Sequence, residues 1–209
     1  MNLFLSDIPT ILYWYMTIAI IGLVFFPLTA TLFRVFPDRG YAMSKIVGIA
    51  LLGYSVWLVS SLRLIPFSLV SIGIVGIIWL GIAIFIIHKR RNNHKTKKQL
   101  SYIEAFKSFF PESFGIIIFE EILFLVALLF WAWVRGHEPT LNSLEKFMDY
   151  GFMNAVERTA YFPPQDMWLA PSTDPNDTYK GGFFINYYYF GHYITAFLTK
   201  LTGIASEVT

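Results

Sequence analysis

Residues 64–98 read LIPFSLVSIGIVGIIWLGIAIFIIHKRRNNHKTKK. From Leu64 to Ile87 no charged side chain interrupts 24 positions. That is longer than the ~20 apolar residues a helix needs to cross a bilayer. The run stops at His88, and residues 88–98 then carry six Lys or Arg and no acid. An uncharged run ending on cations reads as a membrane helix with a cytoplasmic anchor, because Lys and Arg concentrate in inner loops. Nucleic-acid binding is the other use of a basic tract, and a net charge of +2 over 209 residues is too small to suggest it.

Outward from this stretch, the same chemistry recurs. The chain is 56% hydrophobic and 14% charged, where soluble domains carry about a quarter charged residues. Further apolar spans fall at about 9–33, 46–62 and 113–134, and a fifth at about 183–204. No run alternates in the ~10-residue pattern of a transmembrane barrel. The fold class is therefore an all-α polytopic membrane protein of about five transmembrane helices. The start, MNLFLSDIPT, has no basic leader and carries Asp7, unlike a cleaved signal peptide. Cysteine is absent, which excludes disulfides and thiolate chemistry.

Orientation follows by alternation. With residues 88–112 cytoplasmic, the connector 34–45 is inside too, and the N-terminus and residues 135–182 are outside. The inner segments then hold ten of the 16 Lys and Arg, whereas 135–182 holds four basic and seven acidic residues. The expected location is a cell (plasma or inner) membrane, crossed several times, with the lipid bilayer as partner. Residues 99–112 suit a short interfacial helix with Tyr102, Ile103, Phe106, Phe109 and Phe110 on one side. Glu120 and Glu121 stand inside the fourth span, where acids are costly and face a partner or water. Pairing with a neighbouring helix is the plainer reading, and a proton or ion path the sharper one.

The outer segment carries the candidate chemistry. Asn142 and Glu145 have the spacing of a capping box. Leu144, Phe147, Met148, Gly151, Phe152, Ala155 and Thr159 then recur at helical spacing, predicting an amphipathic helix on the outer membrane surface. Glu145 and Asp149 are four apart and share a face. They are candidates for a general base or a metal ligand, against the plainer readings of a cap and a solvated acid. Asp166 and Trp168 lie in FPPQDMWLAP, whose prolines impose an extended approach. Arg135 and Arg158 carry guanidinium forks suited to phosphate. His137 is a lone histidine, and Asn176-Asp177-Thr178 fits a glycosylation sequon. Asn186, Tyr187, Tyr188, Tyr189 and His192 open the fifth span; three consecutive tyrosines point in three directions, more than one aromatic belt explains.

The motifs WVRG-HEP, LEKFMD, FPPQDMWLA, INYYYFGHY and LTKLTG, in that order over about 113–204, resemble the YYY family of highly hydrophobic bacterial and archaeal membrane proteins. Phe147 departs from the family pattern, which favours proline after Glu-Lys. The chain then divides into a three-span region with its basic loop, 1–112, and a YYY unit, 113–209. The YYY family in turn looks like the GT-C glycosyltransferases, which use polyprenyl-phosphate-linked sugars. That likeness implies sugar transfer on the outer face from a lipid-phosphate-linked donor. Glu145 and Asp149 would activate the acceptor or bind metal, and QDMWLAP would stand at the GDW-type segment. Arg135, Arg158 or His192 would meet the donor phosphate, and Tyr187 to Tyr189 would line the groove with Asn186. Mg or Mn is the metal such enzymes imply, with Glu145, Asp149 and Asp166 as possible ligands. Both families have more than five spans, so the chain is expected to be an N-terminal fragment whose further helices are missing partners. A transporter with Glu120, Glu121 and His192 along a path, or a non-catalytic scaffold, are the alternatives.

Overall fold

The computed structural model describes residues 2–92, 100–137, 140, 145–168 and 182–206, and side chains from residue 7 onward. Its regular structure is helical: α1 (Asn2–Leu32), α2 (Tyr41–Ser61), α3 (Leu69–Asn92), α4 (Tyr102–Lys107), α5 (Phe114–His137), α6 (Lys146–Arg158) and α7 (Phe190–Thr202). Residues α1 from Asp7, α2, α3 and α5 are long and apolar enough to cross a membrane. An all-α polytopic membrane protein is what the sequence predicts and what the fold is. By packing, the chain forms two compact units, Met1–Leu52 with Ile74–Glu138, and Gly53–Gly73 with Pro139–Thr209. This division follows contacts, whereas the boundary at 112/113 follows motifs.

In the first unit the connectors are shaped by specific polar groups. Asp38 accepts from the N–H of Gly40 at 3.1 Å and of Ala42 at 3.0 Å, so a carboxylate sits on the orphan donors of the α2 N-terminus. Arg39 donates from Nη1 to the Ser108 carbonyl at 3.0 Å. Helix α4 begins on a capping box: Ser101 Oγ accepts from the Glu104 N–H at 3.2 Å, and Glu104 Oε2 accepts from the Ser101 N–H at 2.7 Å. It is six residues, shorter than the expected 99–112. Its predicted face also divides, with Phe109 packing among Phe26, Tyr41 and Ile117 while Tyr102 and Ile103 stay exposed.

Glu121 accepts from Lys45 Nζ on α2 and from the Tyr15 hydroxyl on α1, the latter at 2.6 Å. Lys45 Nζ also lies 4.6 Å from the Tyr41 ring centre. The intramembrane acid therefore has its cation, and α1, α2 and α5 are tied at one point. Adjacent Glu120 keeps a buried Oε2 with no hydrogen-bond partner among the described residues.

The second unit holds the expected fifth span, and here the expectation of its length is corrected. Helix α7 has 13 residues, about 20 Å at 1.5 Å per residue, short of a ~30 Å hydrocarbon core. Tyr187 to Tyr189 precede it in irregular backbone. Its inward side is packed: Tyr193, Ala196 and Phe197 are fully buried, and the Tyr193 hydroxyl donates to the Gly53 carbonyl at 2.7 Å. Buried Thr199 and Thr202 satisfy their hydroxyls on the carbonyls four residues back, at 3.0 and 2.9 Å. Gly203, at φ +68°, closes the helix in the left-handed conformation glycine favours. Lys200, near the end of α7, is half-buried. Its Nζ donates to the Glu157 carbonyl at 2.7 Å and the Phe67 carbonyl at 3.2 Å. The first of these bonds places a cation on the negative end of α6.

Candidate functional site

Helix α6 positions the acids. It starts at Lys146, with Glu145 in the cap position and making no side-chain cap bond. The capping box expected of Glu145 needs Asn142, which lies outside the described residues, as do Glu138 and the sequon 176–178. Glu145 is exposed, and its carbonyl accepts from the Asp149 N–H at 2.9 Å. One side of α6, with Met148, Phe152 and Ala155, packs against Ile185, Met167 and Tyr189. Phe147 is exposed and lies 5.5 Å from the Trp168 ring.

The first turns of α6 and α7 meet through chemistry. Asp149 Oδ1 and His192 Nε2 are 3.0 Å apart, with the imidazole 17% and the carboxylate 53% exposed. A carboxylate only accepts, so Nε2 carries the proton. The other ring nitrogen, Nδ1, is buried and has no hydrogen-bond partner among the described residues. Phe152 meets the imidazole edge-on at 5.5 Å and the Tyr187 ring at 5.6 Å. Asp149 is thus the accessible group of this pair, and His192 the group that orients it.

Each tyrosine of the triplet has its own task. Tyr187 donates to the Tyr188 hydroxyl at 2.6 Å, with the rings stacked at 4.0 Å. That hydrogen bond is the main reason the Tyr187 phenol is pushed up to about 12, and the nearby Glu145 and Asp149 carboxylates add to the push. Tyr188 is the most exposed of the three, at 78%. Tyr189 turns inward, stacking on Phe162 and accepting from Trp57 Nε1 at 3.2 Å. Asn186 is exposed beside them.

The prolyl segment reaches α7 by a short ladder. Asp166 N–H donates to the Phe183 carbonyl at 2.7 Å and Ile185 N–H to the Pro164 carbonyl at 2.9 Å, around an antiparallel bridge between Gln165 and Phe184. Asp166 Oδ1 accepts from the Trp168 N–H at 2.7 Å, a local turn. Met167 lies so close to Gly151 that a Cβ there would overlap its Sδ. Arg158 and Asp166 line one cleft of about 480 Å³ with Tyr161 and Gln165. Arg135 is exposed at the end of α5, in the other unit.

The structure thus joins Glu145, Asp149, Tyr187, Tyr188 and His192 in one group, and Arg158 with Asp166 in another. Among the described residues no three His, Asp or Glu side chains gather as a metal site would require. Asp166 lies in the other group, so Glu145, Asp149 and Asp166 do not come together as a donor set for Mg or Mn. Sequence reasoning missed Gln165 and Tyr161, whose only signal is adjacency to the prolines. It also missed Trp57, for which a span aromatic gave no signal.

An all-helical membrane fold with an acid–imidazole pair between α6 and α7, beside a tyrosine triplet, defines the class. The family model "Uncharacterized membrane protein (DUF2298)" matches residues 51–209. The chain belongs to that family, the YYY-type membrane proteins. No curated protein and no solved structure matches it.

Proposed function

We propose that the second unit transfers a sugar from a lipid-phosphate-linked donor to a hydroxyl acceptor at the outer membrane face, as GT-C enzymes do. The observation that carries this reading is the exposed carboxylate of Asp149, held by His192 beside the Tyr187–Tyr188 pair. Asp149 accepts the acceptor's hydroxyl proton as the new C1–O bond forms. The bond from C1 to the donor phosphate breaks, and the lipid phosphate leaves with the electron pair. His192 Nε2–H fixes the carboxylate's orientation, the role a second-layer hydrogen bond plays for a general base. Glu145 is the second acid facing Tyr187, and the exposed tyrosine rings supply a platform for the donor or acceptor.

General-base removal costs about 10²–10⁴-fold. Asp149→Asn is therefore expected to lose at least ~100-fold in transfer of labelled sugar from a polyprenyl-phosphate donor, measured with the chain in native membranes. His192→Gln, which keeps a donor, is expected to lose less than His192→Ala. Full transfer by both Asp149→Asn and Glu145→Gln would remove the assignment.

A further inference from the structure

The cleft at the C-terminal half of α6 is lined by the exposed side chains of Arg158, Tyr161 and Gln165 and by the partly buried Asp166. Its volume of about 480 Å³ is in the range of small-molecule sites. Among the described residues, the Arg158 guanidinium, the Gln165 amide and the Tyr161 hydroxyl have no hydrogen-bond or ionic partner. Asp166 commits Oδ1 to the Trp168 N–H and leaves Oδ2 unmatched. Met167 and Phe184 give the same cleft an apolar side.

Charge decides which ligand these walls suit. A free phosphate is drawn to Arg158 and repelled by Asp166. Guanidinium only donates and carboxylate only accepts, while a hydroxyl does both. A neutral ring bearing several hydroxyls therefore satisfies Arg158, Asp166, Gln165 and Tyr161 together, and its C–H face fits Met167 and Phe184.

We propose that this cleft is a binding subsite for a neutral sugar ring. Asp149 and Arg158 are nine residues apart on α6, about 13 Å along the axis. A ring held in the cleft is then not the ring that reacts at Asp149. Because nine residues are two and a half turns, the two side chains leave opposite faces of α6, and a single acceptor reaches both only as a chain of more than one sugar that passes around the helix. The ring-binding inference stands on the cleft alone; its place as an acceptor subsite rests on the transfer reading above.

The test is binding of a panel of methyl glycosides, and separately of inorganic phosphate, to the full chain in lipid nanodiscs by saturation-transfer NMR. At least one glycoside is expected to bind, and Asp166→Asn and Arg158→Gln each weaken it ~10-fold or more while the unfolding midpoint stays put. Asp149→Asn is expected to bind that glycoside normally and to fail in transfer. Phosphate binding that tightens in Asp166→Asn overturns the inference in favour of an anion site. Absence of glycoside binding by folded wild-type chain overturns it outright. Glycoside binding together with normal transfer by Asp149→Asn sinks the transfer reading and leaves the cleft inference standing.

Discussion

Helices α5 and α7 look alike as sequence and differ as structure. Both are apolar runs with aromatic ends, flanking the same acidic segment. Helix α5 has 24 residues, and its apolar side chains are largely exposed, as lipid-facing groups are. Helix α7 has 13 residues, six of them buried. It packs against α6 and is held by Tyr193 on the Gly53 carbonyl and by Lys200 on the end of α6. The lesson is that hydropathy reports what a segment tolerates, while length and polar partners decide whether it spans or packs.

If α5 is a spanning helix, its one paired acid matters most. Removing one member of a buried ion pair strands the other and typically costs 3–5 kcal/mol. Lys45→Met is expected to destabilise the first unit by about that much, measured as reversible unfolding in mixed micelles. The double variant Lys45→Met with Glu121→Leu is expected to recover most of the loss. A silent Lys45→Met would mean that the pair sits in water and that α5 is no simple span.

On the α7 side the comparison rests on packing and one buried hydrogen bond. Tyr193→Phe keeps the ring and removes one hydrogen bond to the Gly53 carbonyl, which keeps its helical partner in α2, an expected loss of about 0.5–1.5 kcal/mol in the same unfolding experiment. No loss would show that α7 is not held as described, and would restore the case for a longer, lipid-embedded helix.

The smallest effect is at the exposed approach to α7. Tyr187 is raised by the bond it donates to Tyr188. A folded pKa above the unfolded value of 10 gives stability that is whole below pH 10 and is lost as pH rises through about 12. Tyr188→Phe is expected to bring the titration of Tyr187, followed by ultraviolet absorbance, back toward 10. An unchanged titration would separate the two rings.

Much of the molecule is legible in its sequence. Spans 1 to 4 and the intramembrane placement of Glu121 follow from apolar runs long enough for a bilayer, a property of composition and length. Ser101 and Glu104 have the spacing of a capping box, which marks where α4 starts, whereas the hydrophobic stripe of 99–112 continues past Lys107, where the helix ends. At the site, the sequence pointed to Asp149, His192, Tyr187 and Tyr188 separately.

What the amino-acid sequence determined alone is therefore the class: an all-helical membrane protein with an acidic segment and a tyrosine triplet. Tertiary structure decided three things. It brought Asp149 to His192 across 43 positions. It put Arg158 and Asp166 in a different cleft from that pair. And it shortened the last helix to 13 residues. The physical reason is that helical periodicity and hydropathy act within about twenty neighbours, whereas a hydrogen bond between two helix starts depends on how those helices pack, which no local pattern encodes.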